Sequence, residues 1–297
     1  MNADAAADGP PRGGLGRFLE IQNLGLNLSF AVAFLFLAAR GLPTARTAIL
    51  AVIAFVAARN AGHSFNRWAD RRLDAQNPRT RSRALPSGER SPAFALSFAA
   101  ANAAAVVVAA FFLNPLAFAL APVALLLVLG YSYTKRFTTL TTAFLGLVEA
   151  VTPAAVFIAV TGALPPVVLL AVGALLAWGT AFETVHSLGD VESDRALGLF
   201  SIPVRFGERA AARLVPLLHA GALVLLAVFG GVLGLSLPYY VALGVMGALA
   251  AGADAALLAR PSEPRGPFRR HYVLGFVYLV GVLIAVFVPT LGALPHG

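Results

Sequence analysis

Long apolar runs alternate with short polar interruptions along this chain, and the runs set the architecture. Candidate spans lie near 18–38, 45–64, 92–113, 116–134, 139–161, 165–186, 210–233, 237–259 and 271–292. Each is close to the roughly 20 residues that a helix needs to cross a bilayer. Stretches such as LAPVALLLVLGY and VVLLAVGALLAW are apolar on every side, whereas strands of a membrane barrel would alternate apolar and polar positions. The pattern predicts an all-α multi-span membrane protein with about nine transmembrane helices. Turns bearing Pro and Gly (RGLPTAR, LNP, TGALPP and GLSLPYY) separate some spans, and longer connections separate the others.

Charge gives the bundle a direction. Of the 22 Lys and Arg residues, Arg40 and Arg46 fall in the short turns, while the other twenty lie on or near the opposite end, most of them in the longer connections around 67–90, 135–136, 195–213 and 260–270. The positive-inside rule places that richer end in the cytoplasm, with the N-terminus inside and, for nine spans, the C-terminus outside. Composition agrees: 59% hydrophobic and 12% charged residues are too few charges to coat a soluble globule of 297 residues. The net charge of +8 is accounted for by topology and anionic lipid, without nucleic acid. With no cysteine, disulfides, thiolate metal sites and a thiol nucleophile are excluded. Residues 1–16 are polar and rich in Gly, Pro and Ala and read as a flexible tail; 17–297 read as a single transmembrane domain. A coarse internal echo, LPSGERS against IPVRFGER, is too short to establish a repeat.

The chemistry concentrates in two acidic constellations. Asn66, Asp70 and Asp74 are spaced i, i+4, i+8, which keeps all three on one helical face. In FETVHSLGDVESD, Glu183, His186, Asp190 and Asp194 fall at i, i+3, i+7 and i+11, again within one helical stripe. Two such ladders at one membrane face would repel each other unless positive charge lay between them. A hard divalent cation such as Mg²⁺ suits carboxylate oxygens and is commonly completed by substrate phosphates. Arg67, Arg71, Arg72, Arg79, Arg81 and Arg83 add donors suited to phosphate. Together these point to a lipid diphosphate as substrate. The blander alternative is a solvated juxtamembrane loop with i,i+4 ion pairs, which two ladders and a Glu183 placed at the end of an apolar run disfavour. Glu149 and Asp254 also sit inside apolar runs, where an interhelical role competes with a catalytic one. His186 is a candidate base or a structural histidine.

The segment ARNAGHSFNRWADRRLDAQNPRTRSRALPSG resembles the first signature of the UbiA superfamily of intramembrane prenyltransferases, Asn-x-x-x-Asp-x-x-x-Asp followed by Arg-Thr-x-x-Arg-x-(Leu/Ile)-Pro-x-Gly. YSYTKRFTTLTTAFLGL and FETVHSLGDVESDRALGLFSIPVRFG are similar to its middle loop and second signature. Within the superfamily the blocks look most like 4-hydroxybenzoate polyprenyltransferases and the prenyltransferase of the futalosine route to menaquinone. The resemblance implies nine helices around a central cavity opening to the cytoplasm and the bilayer. It also implies Mg²⁺-dependent transfer, with two ions, of a polyprenyl group from an allylic diphosphate to an aromatic quinone precursor. Carried over by position, Asn66, Asp70 and Asp74 would serve one metal and Asp190 and Asp194 the other, with Glu183 joining these aspartates as a catalytic candidate. Arg71, Arg83, Lys135 and Arg136 would hold diphosphate or the acceptor's acid group, and Arg59 and His186 would face the acceptor. The second block departs from the pattern at Glu183, His186, Ser187 and Gly189. Another acceptor, a prenyl cyclase, a transporter and a non-catalytic lipid-binding protein stand as alternatives; a transporter would place its acids near the midplane and not at span ends.

Overall fold

A computed structural model describes residues 14, 15, 18 and 24–288, and among them every regular element is helical. Nine long helices appear among the described residues: α1 (Leu24–Ala39), α2 (Ala45–Asp74), α3 (Pro92–Leu113), α4 (Pro115–Gly130), α5 (Thr141–Thr161), α6 (Val168–Leu188), α9 (Glu208–Leu233), α10 (Leu237–Ala259) and α11 (Arg265–Phe287). Two short helices, α7 (Val191–Ala196) and α8 (Ile202–Phe206), bridge α6 and α9. Seven of the described helices are long and apolar enough to cross a membrane; Leu28–Ala39 and Val273–Phe287 are shorter apolar stretches. Apart from Gly14 and Leu15, the expected tail at 1–16 lies outside the described residues.

Local chemistry fixes the helix ends. Thr44, Ser91 and Asn114 each accept a hydrogen bond from the backbone N–H three residues on, relieving an amide that the first turn leaves unpaired. Pro92 and Pro115 open α3 and α4, where the missing N–H costs nothing. Gly162 and Gly234 close α5 and α9 in the left-handed conformation, with φ of 70° and 69°.

Two departures from the expected boundaries matter for the site. The second span was expected to stop at 64, yet α2 runs ten residues further and carries the Asn66–Asp74 ladder on an unbroken helix. The fourth span was expected to reach 134, but α4 stops at Gly130 and tightens into a 3₁₀ turn over Tyr131–Arg136, which turns Lys135 and Arg136 back toward α2.

The helices pack in a ring in which α1 meets α11, α11 meets α10, and α10, α9, α6 and α5 follow as neighbours back to α1; α2, α3 and α4 flank it. Side chains such as Leu126 and Leu217 point outward at 73% and 70% exposure, as a lipid-facing surface requires. Inside, small residues let backbones approach, because packing and not water exclusion drives association in lipid. A methyl group at Gly146 of α5 would overlap Thr180 and the Leu176 carbonyl of α6, and one at Gly281 of α11 would overlap Ala242 of α10. Asp254, left open between interhelical and catalytic roles, has a partner: His219 Nδ1 on α9 lies 3.0 Å from both of its oxygens, and both residues are buried. Trp178 of α6 packs against that imidazole with ring centroids 4.6 Å apart and planes tilted by 44°. The pair joins α9 to α10 within the membrane. Glu149 lies with Oε2 against the α6 backbone at Gly179.

Substituting Gly146→Val should lower the thermal midpoint in detergent, consistent with an overpacking cost of about 1–3 kcal/mol. Gly244→Ala, where a methyl group meets nothing within 4 Å, should leave it unchanged. A size-exclusion thermal-shift assay of both variants checks the pair.

Candidate functional site

The first ladder occupies the last turns of α2, with Asp70 and Asp74 buried and Asn66 half-buried. Asn66 donates from Nδ2 to Asp70 Oδ2 at 3.0 Å. Asp70, with only 4% of its side chain exposed, receives Lys135 Nζ at 2.7 Å and an Arg136 guanidinium nitrogen at 3.0 Å. The same guanidinium also donates to the Ala69 and Ser132 carbonyls at 2.9 and 2.8 Å, which locks it between the 3₁₀ turn and α2. One turn further on, Asp74 pairs with Arg83 at 2.9 Å through Oδ1, while Thr80 donates to its backbone carbonyl at 3.0 Å. Its other oxygen, Oδ2, is buried and has no hydrogen-bond partner among the described residues.

The second constellation is not one helical stripe. Helix α6 ends at Leu188, with Gly189 at its C-cap, and Asp190 sits at the entry to α7. Glu183 therefore belongs to the membrane helix and Asp190 and Asp194 to the connection, with the break set by the turn at Gly189. Glu183 Oε2 meets His186 Nδ1 at 3.3 Å on the last turn of α6. Asp190 is gripped from the first motif: Arg79 Nε donates to Oδ1 at 2.7 Å, its NH2 reaches Oδ2, and Asn77 Nδ2 donates to Oδ1 at 3.2 Å and to Ser193 Oγ at 3.0 Å. The backbone N–H of Phe200 donates to the Lys135 carbonyl at 2.8 Å, so the middle loop is tied to the second motif as well. Three segments far apart in sequence thus meet at one end of the bundle.

Electrostatics follow from this geometry. Burial alone would push the Asp190 carboxyl up, but the hydrogen bonds and charge of Arg79 outweigh it and hold the group below the usual carboxylate range. Burial raises the Asp194 carboxyl and the neighbouring Asp190 raises it further, to about 6. The repulsion expected between the ladders is thus met in part by Arg79, Arg83, Lys135 and Arg136. Two acidic features are left under-compensated, Asp74 Oδ2 and Asp194. Among the described residues no three His, Asp or Glu side chains converge as a ready metal cage. The donor set fits a hard cation whose coordination substrate oxygens complete, with the buried Asp74 oxygen as a waiting acceptor.

Arg83, Lys135 and Arg136, expected to hold diphosphate or the acceptor's acid group, pair in this structure with Asp74 and Asp70. Arg71 does not: it folds over Trp68, 5.0 Å from the ring, and donates to the Trp68 carbonyl at 2.6 Å. Arg59 lies on α2 seven residues before Asn66, about 10 Å deeper along the axis. The sequence reading did not single out Asn77, Ser193 or Tyr131. Asn77 follows the ladder directly in DAQNPRT, the one signal that would have drawn attention to it. Tyr131 opens the 3₁₀ turn within electrostatic reach of Glu183 and Asp70.

The model of the UbiA prenyltransferase family matches residues 27–280. A 4-hydroxybenzoate octaprenyltransferase from Saccharophagus degradans is 32% identical over 253 residues, covering 84% of this chain and 84% of that protein. One from Aeromonas salmonicida is 31% identical over 258 residues, covering 86% and 88%. Among solved structures, the apo form of a UbiA homologue from Aeropyrum pernix K1 superposes with a TM-score of 0.82 at 28% identity, over 89% of this chain and 98% of that one. A homologue from Archaeoglobus fulgidus, solved with GPP and Mg²⁺, superposes with a TM-score of 0.73 at 19% identity over 91% and 98%, a likeness of fold. The match runs through all three blocks that build the acidic end of the bundle, and this integral membrane protein belongs to the UbiA prenyltransferase family.

Proposed function

We propose that the chain transfers a polyprenyl group from an allylic diphosphate to an aromatic acceptor, 4-hydroxybenzoate or a related quinone precursor, using Mg²⁺. The observation that carries this reading is the meeting of two acidic motifs and four cationic side chains at one buried end of the bundle. Curated relatives above 30% identity named for that acceptor support its choice. The basic loops support a cytoplasmic placement of this end and the N-terminus, with residues 17–297 as one domain.

Asn66, Asp70, Asp74, Asp190 and Asp194 would hold the metal, in two ions, which would supply Lewis-acid stabilisation of diphosphate oxygens. Lys135, Arg136, Arg79 and Arg83 exchange their present carboxylate partners for phosphate oxygens as the donor enters. Their positive charge is fixed where negative charge builds on the leaving group, so little reorganisation accompanies bond breaking. The allylic C–O bond breaks with its electron pair staying on diphosphate. Apolar walls of the spans keep water from the allylic cation, an electron-rich ring carbon forms the new C–C bond, and the ring proton is then lost. Glu183 and His186, a turn deeper on α6, face the acceptor.

Purified protein with geranyl diphosphate, Mg²⁺ and 4-hydroxybenzoate should form a C-prenylated product by mass spectrometry, abolished by EDTA. Release of diphosphate without that product would keep the donor site and reject the acceptor. Asp70→Asn and Asp190→Asn should each lower turnover by about 100-fold or more while eluting as folded protein; near-normal rates in either would reject the paired-motif site. Asn77→Ala, which frees Asp190 and Ser193 from the first motif, should raise the Mg²⁺ concentration for half-maximal rate by about tenfold, read from a metal titration.

A further inference from the structure

Each turnover of the proposed reaction sets free one proton in a pocket walled by apolar spans. The chemistry of the ring fixes the side from which it leaves. When a ring carbon bonds the allylic cation it becomes tetrahedral, with the prenyl group on the face toward the donor and the hydrogen on the opposite face. The donor's diphosphate is held at the acidic end, so the hydrogen points deeper into the membrane. A base that takes it must lie below the ring and within hydrogen-bond reach.

Glu149 is a carboxylate at such a depth. Helices α5 and α6 carry three ionisable side chains between them, Glu149, Glu183 and His186. Glu149 stands eight residues inside α5, about 12 Å from the helix start at the acidic end. It falls three residues after Gly146 and four before Pro153, both buried, which puts it on the inward face of α5, and it is itself half-buried. Its Oε2 lies 2.6 Å from where a methyl carbon on Gly179 of α6 would stand, so the glycine makes the room that the carboxylate occupies. Gly179 is nine residues from the end of α6, about 13 Å, in agreement with the depth counted along α5. Glu183 sits one turn above Gly179 on the same face, and His186 Nδ1 meets its Oε2 at 3.3 Å. The three groups thus climb from the interior toward the acidic end. An inward ionisable group at membrane depth is costly to keep, and chains of Glu and His are what proton transfer through such a bundle requires.

We infer that Glu149 takes the ring proton, and that Glu183 and His186 pass it up α6 to the acidic end. This rests on the reaction proposed above. The C–H bond of the tetrahedral ring carbon breaks, its electron pair restores the aromatic ring, and the proton bonds to a Glu149 carboxylate oxygen. Glu183 and His186 then return it to water beyond the acidic end, which leaves Glu149 ionised for the next turnover. The leaving diphosphate, on the other side of the ring with its oxygens held by cations, is poorly placed to accept it.

The test uses the full chain in nanodiscs with geranyl diphosphate, Mg²⁺ and 4-hydroxybenzoate, either unlabelled or deuterated at both ring positions beside the hydroxyl. Glu149→Gln keeps the shape and removes the base; it should lower kcat about 100-fold and leave KM for geranyl diphosphate within about twofold. With proton removal now slow, the deuterated acceptor should react more slowly than the unlabelled one by a larger factor than in the wild-type chain. Glu149→Asp, whose carboxylate is set one bond further back, should recover about tenfold of the loss, with an isotope effect between those of the other two. An unmoved kcat in Glu149→Gln overturns the inference and leaves the proton to diphosphate. A loss whose isotope effect stays at the wild-type value also overturns it, and leaves Glu149 to helix packing. Where Glu149→Gln elutes unfolded, Glu149→Asp decides by the same isotope criterion. A wild-type chain that forms no C-prenylated product rejects the reaction itself, before any variant is compared.

Discussion

Carboxylates at the end of a membrane bundle carry a large desolvation cost unless cations meet them, and the arrangement of this chain's loops follows from that constraint. Asp70 and Asp74 are almost wholly buried, in surroundings where an unpaired charge costs several kcal/mol. Lys135, Arg136 and Arg83 meet them from two different connections, and Arg79 reaches across to Asp190. Each pairing also ties a loop to a helix, so the ion pairs give the acidic end its shape as well as its neutrality. On the proposed reaction the same pairs are the ones that would be exchanged. A diphosphate would offer the guanidinium groups a bidentate partner, and the carboxylates would then be left to a metal.

Away from that end, the bundle relies on different physics. Helices in lipid gain little from hiding apolar surface, so glycines at 146 and 281 bring backbones into close contact. The His219–Asp254 pair adds one polar link where no water competes for it. This close packing around α5 and α6 contrasts with the loose seam between α1 and α2.

Much of this was legible beforehand where the signal is local. The i, i+4, i+8 spacing of Asn66, Asp70 and Asp74 required only that α2 continue past 64, and it does. The second stripe failed because helical spacing was carried through Gly189, where the chain turns. Arg71 matched a position in a motif, yet its guanidinium has a nearer partner in the Trp68 ring one turn back. Asp254 had no visible partner because His219 is 35 residues away on another helix.

By itself the sequence determined the helical class, the basic end and the acidic motifs, since hydropathy, loop charge and helical spacing act between near neighbours. Only the tertiary structure decided which cation meets which carboxylate, as in the link from Arg79 to Asp190 across 111 residues, and which helices become neighbours. Those outcomes depend on how helices pack against one another, which no local periodicity encodes.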